Sequence, residues 1–586
     1  MLYYKMSNYF VADQKIPITQ KSIGVPSTNG LSYNSGQLIE IHVDPQVVKF
    51  FNPQESYLQF NCKLQMPSDT LGNVTRLQLD SHIGAQVLIR DIRIHDGNNN
   101  ALLEEIVGYN VACGVKYDYH TNDSLKNKRS LVEGAGIHTP NDTGTMGSTI
   151  NHQSNNVNQW TDPFSSTTAP LQNASYVDAK VCLPLNTGIF SNDKVFPCML
   201  TNGLRISILL EDDAKCIRQQ DNVGLNRHLR LNPTFHSTNG CLTNGSITAA
   251  TNASYIYFNP DNRVISDAGQ VPFSVGERLA FWDTENNVDV PITAGNCIVT
   301  EVNYTAGGTQ LAWVNTNNFQ VGAPGVNTNS NASHSVYSTS VQEQATFNPT
   351  YQISNVELVL QTLDMGNQYE ADMLRRMKEG GTINYDFLSM TNYRYSQLAS
   401  DLVANIQLPI ENRRMKSIIC VPTDASVYSG KEVVNASNTY LEELFHTKGV
   451  NVDQFDSNQD RSGLVGISDY ISSYQFLYAG RLQPSRLVNC SKTSSKSSVS
   501  QQQLIELEKA LSGANISGQS MLQFDKNFIL GRSLALQNGV YDGRNKQFSL
   551  QVNYQGTAPT KNKLWNCFAH HVRRLIINGD SISVEV

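Results

Sequence analysis

Residues 351–394 constrain this chain most, because the apolar pattern changes period twice within them. Tyr351, Ile353, Val356, Leu358 and Leu360 largely alternate with polar residues and carry β-branched side chains, which predicts a half-buried strand. Residues 368–379 then place Tyr369, Met373, Leu374 and Met377 three and four positions apart, so a helix there has one apolar face, with Arg375, Arg376 and Lys378 in water. Gly380 and Gly381 stop it, because glycine accepts the left-handed conformation at a helix C-terminus. Ile383, Tyr385 and Phe387 next alternate with Thr382, Asn384 and Asp386, and a new strand begins. Such a run is a joint: the last strand of one β-sandwich, a short helical spacer, and the first strand of a second.

Length agrees with that division. The chain has 586 residues, enough for three to five domains of about 150 residues or for two β-sandwiches of about 200–250; the joint favours two. Hydrophobic residues make up 40%, ample for two cores, but charged residues only 16%, against about 25% in average domains. A net charge of −7 and a pI near 6.0 exclude a dedicated nucleic-acid binder, whose footprint would be basic. None of the ten cysteines forms a C-x-x-C pair, which removes the common zinc and thioredoxin spacings. Contexts such as Ser417-Ile418-Ile419-Cys420 make them small buried hydrophobes. With no apolar run of about 18 residues and no signal-peptide pattern after Met1 or the alternative start Met6, the expectation is a protein with no membrane span, made in a reducing cytosol or nucleus.

Taken in order, residues 1–34 are rich in Ser, Asn and Gly and contain Pro17 and Pro26. They are expected to be an arm that orders only against a partner surface. Alternation over 37–48, 56–66 and 86–95 predicts three strands of an antiparallel sandwich. Asn100 as N-cap, with Glu104 and Glu105 in the first turns, predicts a helix over 101–107, and a second helix is expected over 124–133. Residues 139–173 lose all pattern and form a long loop; strands return at 179–185 and 203–210. Between 231 and 350 only 10 of 120 residues are charged and none is lysine, a composition shift that marks an insertion. Short strands at 254–258, 278–282, 297–304 and 310–314 predict a small β-barrel inside it. The second half repeats the plan: strands at 404–410, 415–421 and 474–477, a short helix at 439–446, a helix from the capping box Ser500-Gln501-Gln502-Gln503 to Leu511, and strands at 524–536, 547–554, 564–568 and 572–586.

No constellation of reactive residues emerges. Glu104-Glu105, Asp212-Asp213 and Glu442-Glu443 are adjacent, and neighbours in sequence point apart on a helix or strand, so none is a local acid/base couple. His570 and His571 are the only neighbouring histidines, and no H-x-x-x-H spacing occurs. Residues 96–100 and 456–460 resemble calcium loops but lack the glycine and glutamate an EF-hand requires, so they are tight turns. Gly134-Ala135-Gly136 lacks the third glycine of a dinucleotide site. The basic clusters Lys126-Asn127-Lys128-Arg129, Arg413-Arg414-Met415-Lys416 and Arg573-Arg574 suit solvated or interface roles better than phosphate contact. No catalytic, cofactor-binding or metal-ligating residue is assigned.

Three segments carry a resemblance: the joint Tyr351-Gln352-Ile353-Ser354-Asn355-Val356-Glu357-Leu358, the run at 473–486 through Pro484-Ser485-Arg486, and Lys563-Leu564-Trp565 with His570-His571-Val572-Arg573-Arg574. On these the chain resembles the double-jelly-roll major capsid proteins of eukaryotic double-stranded DNA viruses, in particular the virophage and polinton-like group. The resemblance implies an all-β chain with a few short helices, built of two consecutive eight-stranded jelly-roll β-sandwiches with a small β insertion in the first. The expected organisation is an arm over 1–34, a first jelly roll over 35–365 carrying an inserted β tower at 231–350, a helical linker over 366–381, and a second jelly roll over 382–586. It further implies no enzymatic activity and no cofactor. The implied partners are a homotrimer, neighbouring capsomers, penton and minor capsid proteins, and a weak contact with packaged DNA; the long polar loops at 139–173 and 425–470 are expected to clasp the subunits of the trimer. The implied location is the virion shell, after synthesis in host cytoplasm or a viral factory. A β-rich carbohydrate-binding or glycan-hydrolysing protein is the alternative, suggested by the sandwich class and the polar, aromatic-bearing insertion.

Overall fold

The structure is a computed structural model that describes residues 19–65, 76–80, 82–120, 129, 132–134, 176–220, 229–230, 253–258, 279–283, 288–290, 292–305, 311–321, 334–338, 350–425, 464–466, 471–490, 501–518, 527–534, 540–554, 559, 562–579 and 581–586. The expected loop at 139–173, most of the one at 425–470, the helix at 439–446, Ser500 of the capping box and most of the helix at 124–133 lie outside them.

The first half holds strands β1 (Thr19–Pro26), β2 (Ser32–Asn34), β3 (Leu38–Val43), β4 (Phe51–Gln65), β5 (Ile89–Asp96), β6 (Leu102–Val107), β7 (Tyr176–Pro184), β8 (Leu204–Leu210) and β9 (Thr350–Asp364), with helix α1 (Tyr109–His120) between β6 and β7. One sheet has the order β1-β9-β4-β7, with β2 also on β9, and the other β3-β8-β5-β6. Helix α2 (Asn367–Lys378) leads into the second half: β10 (Thr382–Gln397), β11 (Val403–Gln407), β12 (Met415–Asp424), β13 (Ile471–Tyr478), β14 (Arg481–Asn489), helix α3 (Gln501–Gly513), β15 (Leu530–Ser533), β16 (Phe548–Tyr554), β17 (Lys563–Asn578) and β18 (Ser581–Glu585). Its sheets run β10-β17-β12-β15, with β18 on β17, and β11-β16-β13-β14. In each half the first, eighth, third and sixth of the eight principal strands form one sheet and the second, seventh, fourth and fifth the other. That order defines a jelly roll, and the chain contains two, each with a helix between its fifth and sixth strands.

Several elements depart from the sequence reading. Residues 19–34 are not a free arm: β1 is the first strand of the first roll, pairing with β9 from Thr19↔Asp364 to Pro26↔Glu357, and Tyr33 in β2 is buried. Its side chains are mostly exposed because it is an edge strand held by backbone hydrogen bonds, so it shows no apolar alternation. The helix expected over 101–107 is strand β6. Asp96 Oδ1 accepts the N–H groups of Asn100 and Ala101 at 2.7 Å each, Asn99 takes φ 59°, and the chain turns back along β5. Helix α1 is not predicted by periodicity because all but three of its residues are buried, leaving no wet face to produce a 3.6-residue pattern. The two strands expected at 564–568 and 572–586 include one unbroken strand, β17, paired with β10 over sixteen positions. Trp565, Cys567, Ala569, His571, Arg573, Leu575 and Ile577 keep one buried parity along it, so a histidine and an arginine occupy positions where an apolar residue would be expected.

The joint follows its pattern closely. Met373 and Met377 of α2 are buried with Phe50, Met365, Ile383 and Ile577, so the helix rests on both rolls, whereas Leu374 is 43% exposed and lies off that face. The helix ends as glycine dictates: Gly380 has φ +81°, and the N–H groups of Gly380 and Gly381 donate to Met377 O at 3.2 Å and Arg376 O at 2.9 Å. The described strands from Leu229 to Ser338 form two four-stranded antiparallel sheets, not one closed barrel; Leu229 and Arg230 pair with Val336 and Ser335, so this region begins at or before 229 and not at 231, and among the described residues none of its strands pairs with a jelly-roll strand. One apolar core cluster continues through both rolls, from Ile39 and Ile41 to Leu550 and Leu575.

Candidate functional site at the seam between the sandwiches

Glu104 is the centre of the seam between the rolls. Strand alternation sends it inward from β6 and its neighbour Glu105 outward, where Glu105 Oε1 accepts from Arg93 Nε at 2.7 Å. Glu104 is 1% exposed, and its carboxylate accepts three hydrogen bonds: Gly188 N–H at 2.7 Å and Ile189 N–H at 3.0 Å from the first roll, and Ser389 Oγ at 2.6 Å from β10 of the second. Burial pushes its pKa up, against those donors and the nearby Arg573. Arg573, on β17, donates from Nη2 to Leu102 O at 3.1 Å, so β6 accepts hydrogen bonds from both β10 and β17 of the second roll. Gly188 cannot be replaced: a Cβ there would lie 2.3 Å from Leu388 O and 2.7 Å from Glu104 Oε1.

A second buried crossing lies at the C-terminal end of α1. Asp118 Oδ1 is 2.7 Å from His82 Nδ1, and its Oδ2 accepts from Asn527 Nδ2 at 2.6 Å. Asn527 in turn accepts Tyr119 Oη on its carbonyl at 2.7 Å and Gly466 N–H on Oδ1 at 2.8 Å. Along the rest of the seam Asn392 Nδ2 donates to Val107 O at 2.9 Å, Asn192 Nδ2 to Asp386 O at 3.0 Å, and Tyr385 Oη to Lys194 O at 3.1 Å, while the Tyr385 and Phe196 rings meet edge to face at 5.2 Å. Between these contacts lies a cavity of about 570 Å³, lined from both rolls by residues that include Lys116, Asn186, Met390, Ile419, Ile516 and His570.

His570 and His571 flank the seam from β17 and are buried. Burial drives the pKa of each down to about 4; His571 repels a proton on His570, and Arg573 repels one on His571. They are neutral packing groups, and among the described residues no cluster of three or more His, Cys, Asp or Glu is placed to hold a metal. The other groups singled out in the sequence are dispersed. Asp213 accepts from Ser35 Oγ at 2.8 Å and from Tyr351 N–H at 3.0 Å, fixing the start of β9, while Asp212 is exposed. Asp96 caps its hairpin. The guanidinium groups are matched by acids of this same chain: Arg574 with Asp386 at 2.6 and 2.9 Å, Arg413 and Arg414 with Glu585 at 3.6 and 3.0 Å, and Arg129 with Glu133 at 3.2 Å. Glu442-Glu443, residues 456–460, Lys126 and Lys128 lie outside the described residues. All nine described cysteines are free thiols, eight of them buried. No helix among the described residues is long and apolar enough to cross a membrane. Sequence reasoning passed over Gly188, Ser389 and Asn527, because single polar residues in loops and strands carry no spacing signal until the strands are brought together.

No protein-family model and no curated protein matches the sequence. Among solved structures the chain is similar along its length to one from the Sputnik virophage solved by cryo-EM, at 9% identity and a TM-score of 0.45, covering 100% of this chain and 91% of that one. It is also similar to a chain of the PBCV-1 virus capsid, at 9% identity and a TM-score of 0.44 with 99% of each covered, and to the mavirus major capsid protein, at 9% and 0.41 with 99% and 92% covered. The fold is a double jelly roll.

Replacing Glu104 with leucine strands two buried N–H groups and a hydroxyl, and should lower the unfolding free energy by about 3 kcal/mol. Glu105→Ala, at an exposed pair, should change it by less than about 0.5 kcal/mol. Urea melts of the two variants check the contrast; equal effects would mean that the seam carboxylate does not hold the rolls. The histidines predict a pH dependence. Their folded pKa values lie below the ordinary 6.5, so nothing is lost above pH 6.5; as pH falls towards 4 the unfolded chain takes protons that the folded chain refuses, and stability drops, by up to about 3 kcal/mol per histidine. Glu104, raised by burial, acts in the opposite sense, its contribution being largest at low pH and lost as pH rises through its folded pKa. A His570→Gln, His571→Gln double variant should therefore lose less stability than the wild type between pH 7 and pH 4.5, measured as the shift in urea midpoint.

Proposed function

We propose that this chain is a structural major capsid protein, with no enzymatic role, and that three copies form a pseudo-hexameric capsomer that tiles an icosahedral shell around double-stranded DNA. The observation that carries the reading is the seam: two jelly rolls bound side by side by buried charge, hydrogen bonds and a shared apolar core make one block with two similar halves, and three such blocks present six. The chemistry of the chain supports it further: among the described residues Glu104, Asp118 and Arg573 are engaged in hydrogen bonds between the rolls. Neighbouring capsomers and penton and minor capsid proteins are the partners that such a block requires, and the virion shell is its location, after synthesis in host cytoplasm or a viral factory. Contact with packaged DNA gains nothing from Arg413, Arg414 and Arg574, whose charges are met by Glu585 and Asp386.

The inserted region is, on this reading, a tower on the first roll. The insertion lies between β8 and β9, and the host residues that flank it meet: Tyr351 N–H donates to Asp213 Oδ1, and Tyr351 Oη to Glu211 O. Loop-closure entropy grows by only about 0.6 kcal/mol per doubling of length, so an insertion with adjacent ends burdens its host little. Size-exclusion chromatography with light scattering should give three times the 64.9 kDa chain mass, both for the intact protein and after residues 234–345 are replaced by a short Gly-Ser linker. A monomeric intact protein would contradict the capsomer reading, and an insoluble or monomeric deletion with a trimeric parent would contradict the tower alone.

A further inference from the structure

Lys116 on α1 and Asn186, two residues past β7, meet where the first roll borders the seam cavity, both half-buried. Lys116 Nζ donates to Asn186 Oδ1 at 2.7 Å. Lysine has donors only, so the amide oxygen must face it and the amide nitrogen must face away. That nitrogen donates to Tyr117 Oη at 2.7 Å. Gln86 Nε2 also donates to Tyr117 Oη, at 3.2 Å, which leaves the tyrosine's own hydrogen for Glu133, its hydrogen-bonding partner. Glu133 is 4% exposed; Arg129 donates to its Oε2 at 3.2 Å and lies 3.4 Å over the Tyr117 ring. Tyr109 Oη accepts the Asn186 backbone N–H at 2.9 Å and fixes the residue from the main-chain side. Burial lowers the pKa of Lys116 and raises that of Glu133, so the amine is shifted towards its neutral, nucleophilic form and the carboxyl towards its protonated form.

We propose that Lys116 and Asn186 join in an intramolecular isopeptide bond, with Glu133 acting through Tyr117 as the proton-transfer group. The neutral Nζ attacks Asn186 Cγ, one bond beyond the oxygen it already touches, and the carbonyl becomes tetrahedral. As the tetrahedral centre forms, the Tyr117 hydroxyl turns its hydrogen to the leaving nitrogen and takes the Glu133 carboxyl proton in its place, reversing the resting hydrogen bonds; the nitrogen leaves as ammonia, and the proton released by Nζ restores Glu133. One N–C bond forms and one breaks, with no oxidant or co-reactant. The product closes residues 117–185 into a covalent ring that ties α1 to the end of β7. Lys116 and Asn186 both line the seam cavity, which gives the ammonia a way out.

Peptide mass spectrometry of the purified full-length chain, denatured and reduced, tests this. The expected result is a peptide pair joined through Lys116 and Asn186, lighter than the two separate peptides by one ammonia. The pair should be absent from Lys116→Arg and should form about a hundredfold more slowly in Glu133→Gln. Separate, full-mass Lys116 and Asn186 peptides from the aged wild-type chain would overturn the proposal, and this readout stands even where a variant fails to fold. A Glu133→Gln chain that links as fast as the wild type would overturn the role given to Glu133 and Tyr117.

Discussion

A carboxylate taken out of water is tolerable only where donors replace the hydration it has lost, and that requirement at Glu104 sets the geometry of the whole molecule. Two of its donors are backbone N–H groups of the first roll and the third is a hydroxyl of the second, so its solvation is complete only when the rolls are docked in one register. An apolar seam would permit sliding; a directional one does not. Gly188 reinforces the point from the steric side, since the space a Cβ would need is already filled by Leu388 O and by Glu104 itself. The buried cluster around Asp118 and Asn527 applies the same logic at a second place, and with the crossings at Asn392, Asn192 and Tyr385 it leaves the rolls no pivot.

The same plan is used twice along the chain, with one modification. Each roll carries a helix between its fifth and sixth strands, and α3 packs Leu507, Ala510 and Leu511 inward as an ordinary amphipathic helix does. Helix α1 instead is covered on nearly every side, because its own roll lies against one part of it and residues of the second roll against another. The difference marks the side on which the rolls meet: the helix of the first roll faces the seam, and its tyrosines and aspartate are buried and its lysine half-buried as a result.

How much of this the sequence disclosed follows from where each element gets its stability. The joint was readable because Met373, Met377 and the paired glycines act locally, through helix periodicity and a left-handed cap. The strands with one wet face, such as β3 and β8, showed their alternation for the same reason. Edge strand β1 was not readable, since an edge is held by main-chain hydrogen bonds that leave no mark on side-chain choice. Strand β6 reads as a helix in the sequence because Glu104 and Glu105 look like first-turn acids, although one is buried and the other is in water. His571 and Arg573 hid the continuity of β17 by placing polar residues at core positions. The seam itself joins residues separated by some 285 positions, as Glu104 and Ser389 are, and no local pattern records a contact of that range.

The central claim is that the two jelly rolls behave as one block. Scanning calorimetry of the intact chain tests it most directly: a single cooperative transition carrying the heat of both rolls is predicted, as expected when neither can open without breaking the Glu104 and Asp118 crossings. Two separate transitions, each with about half the heat, would show that the rolls unfold independently and would contradict the account.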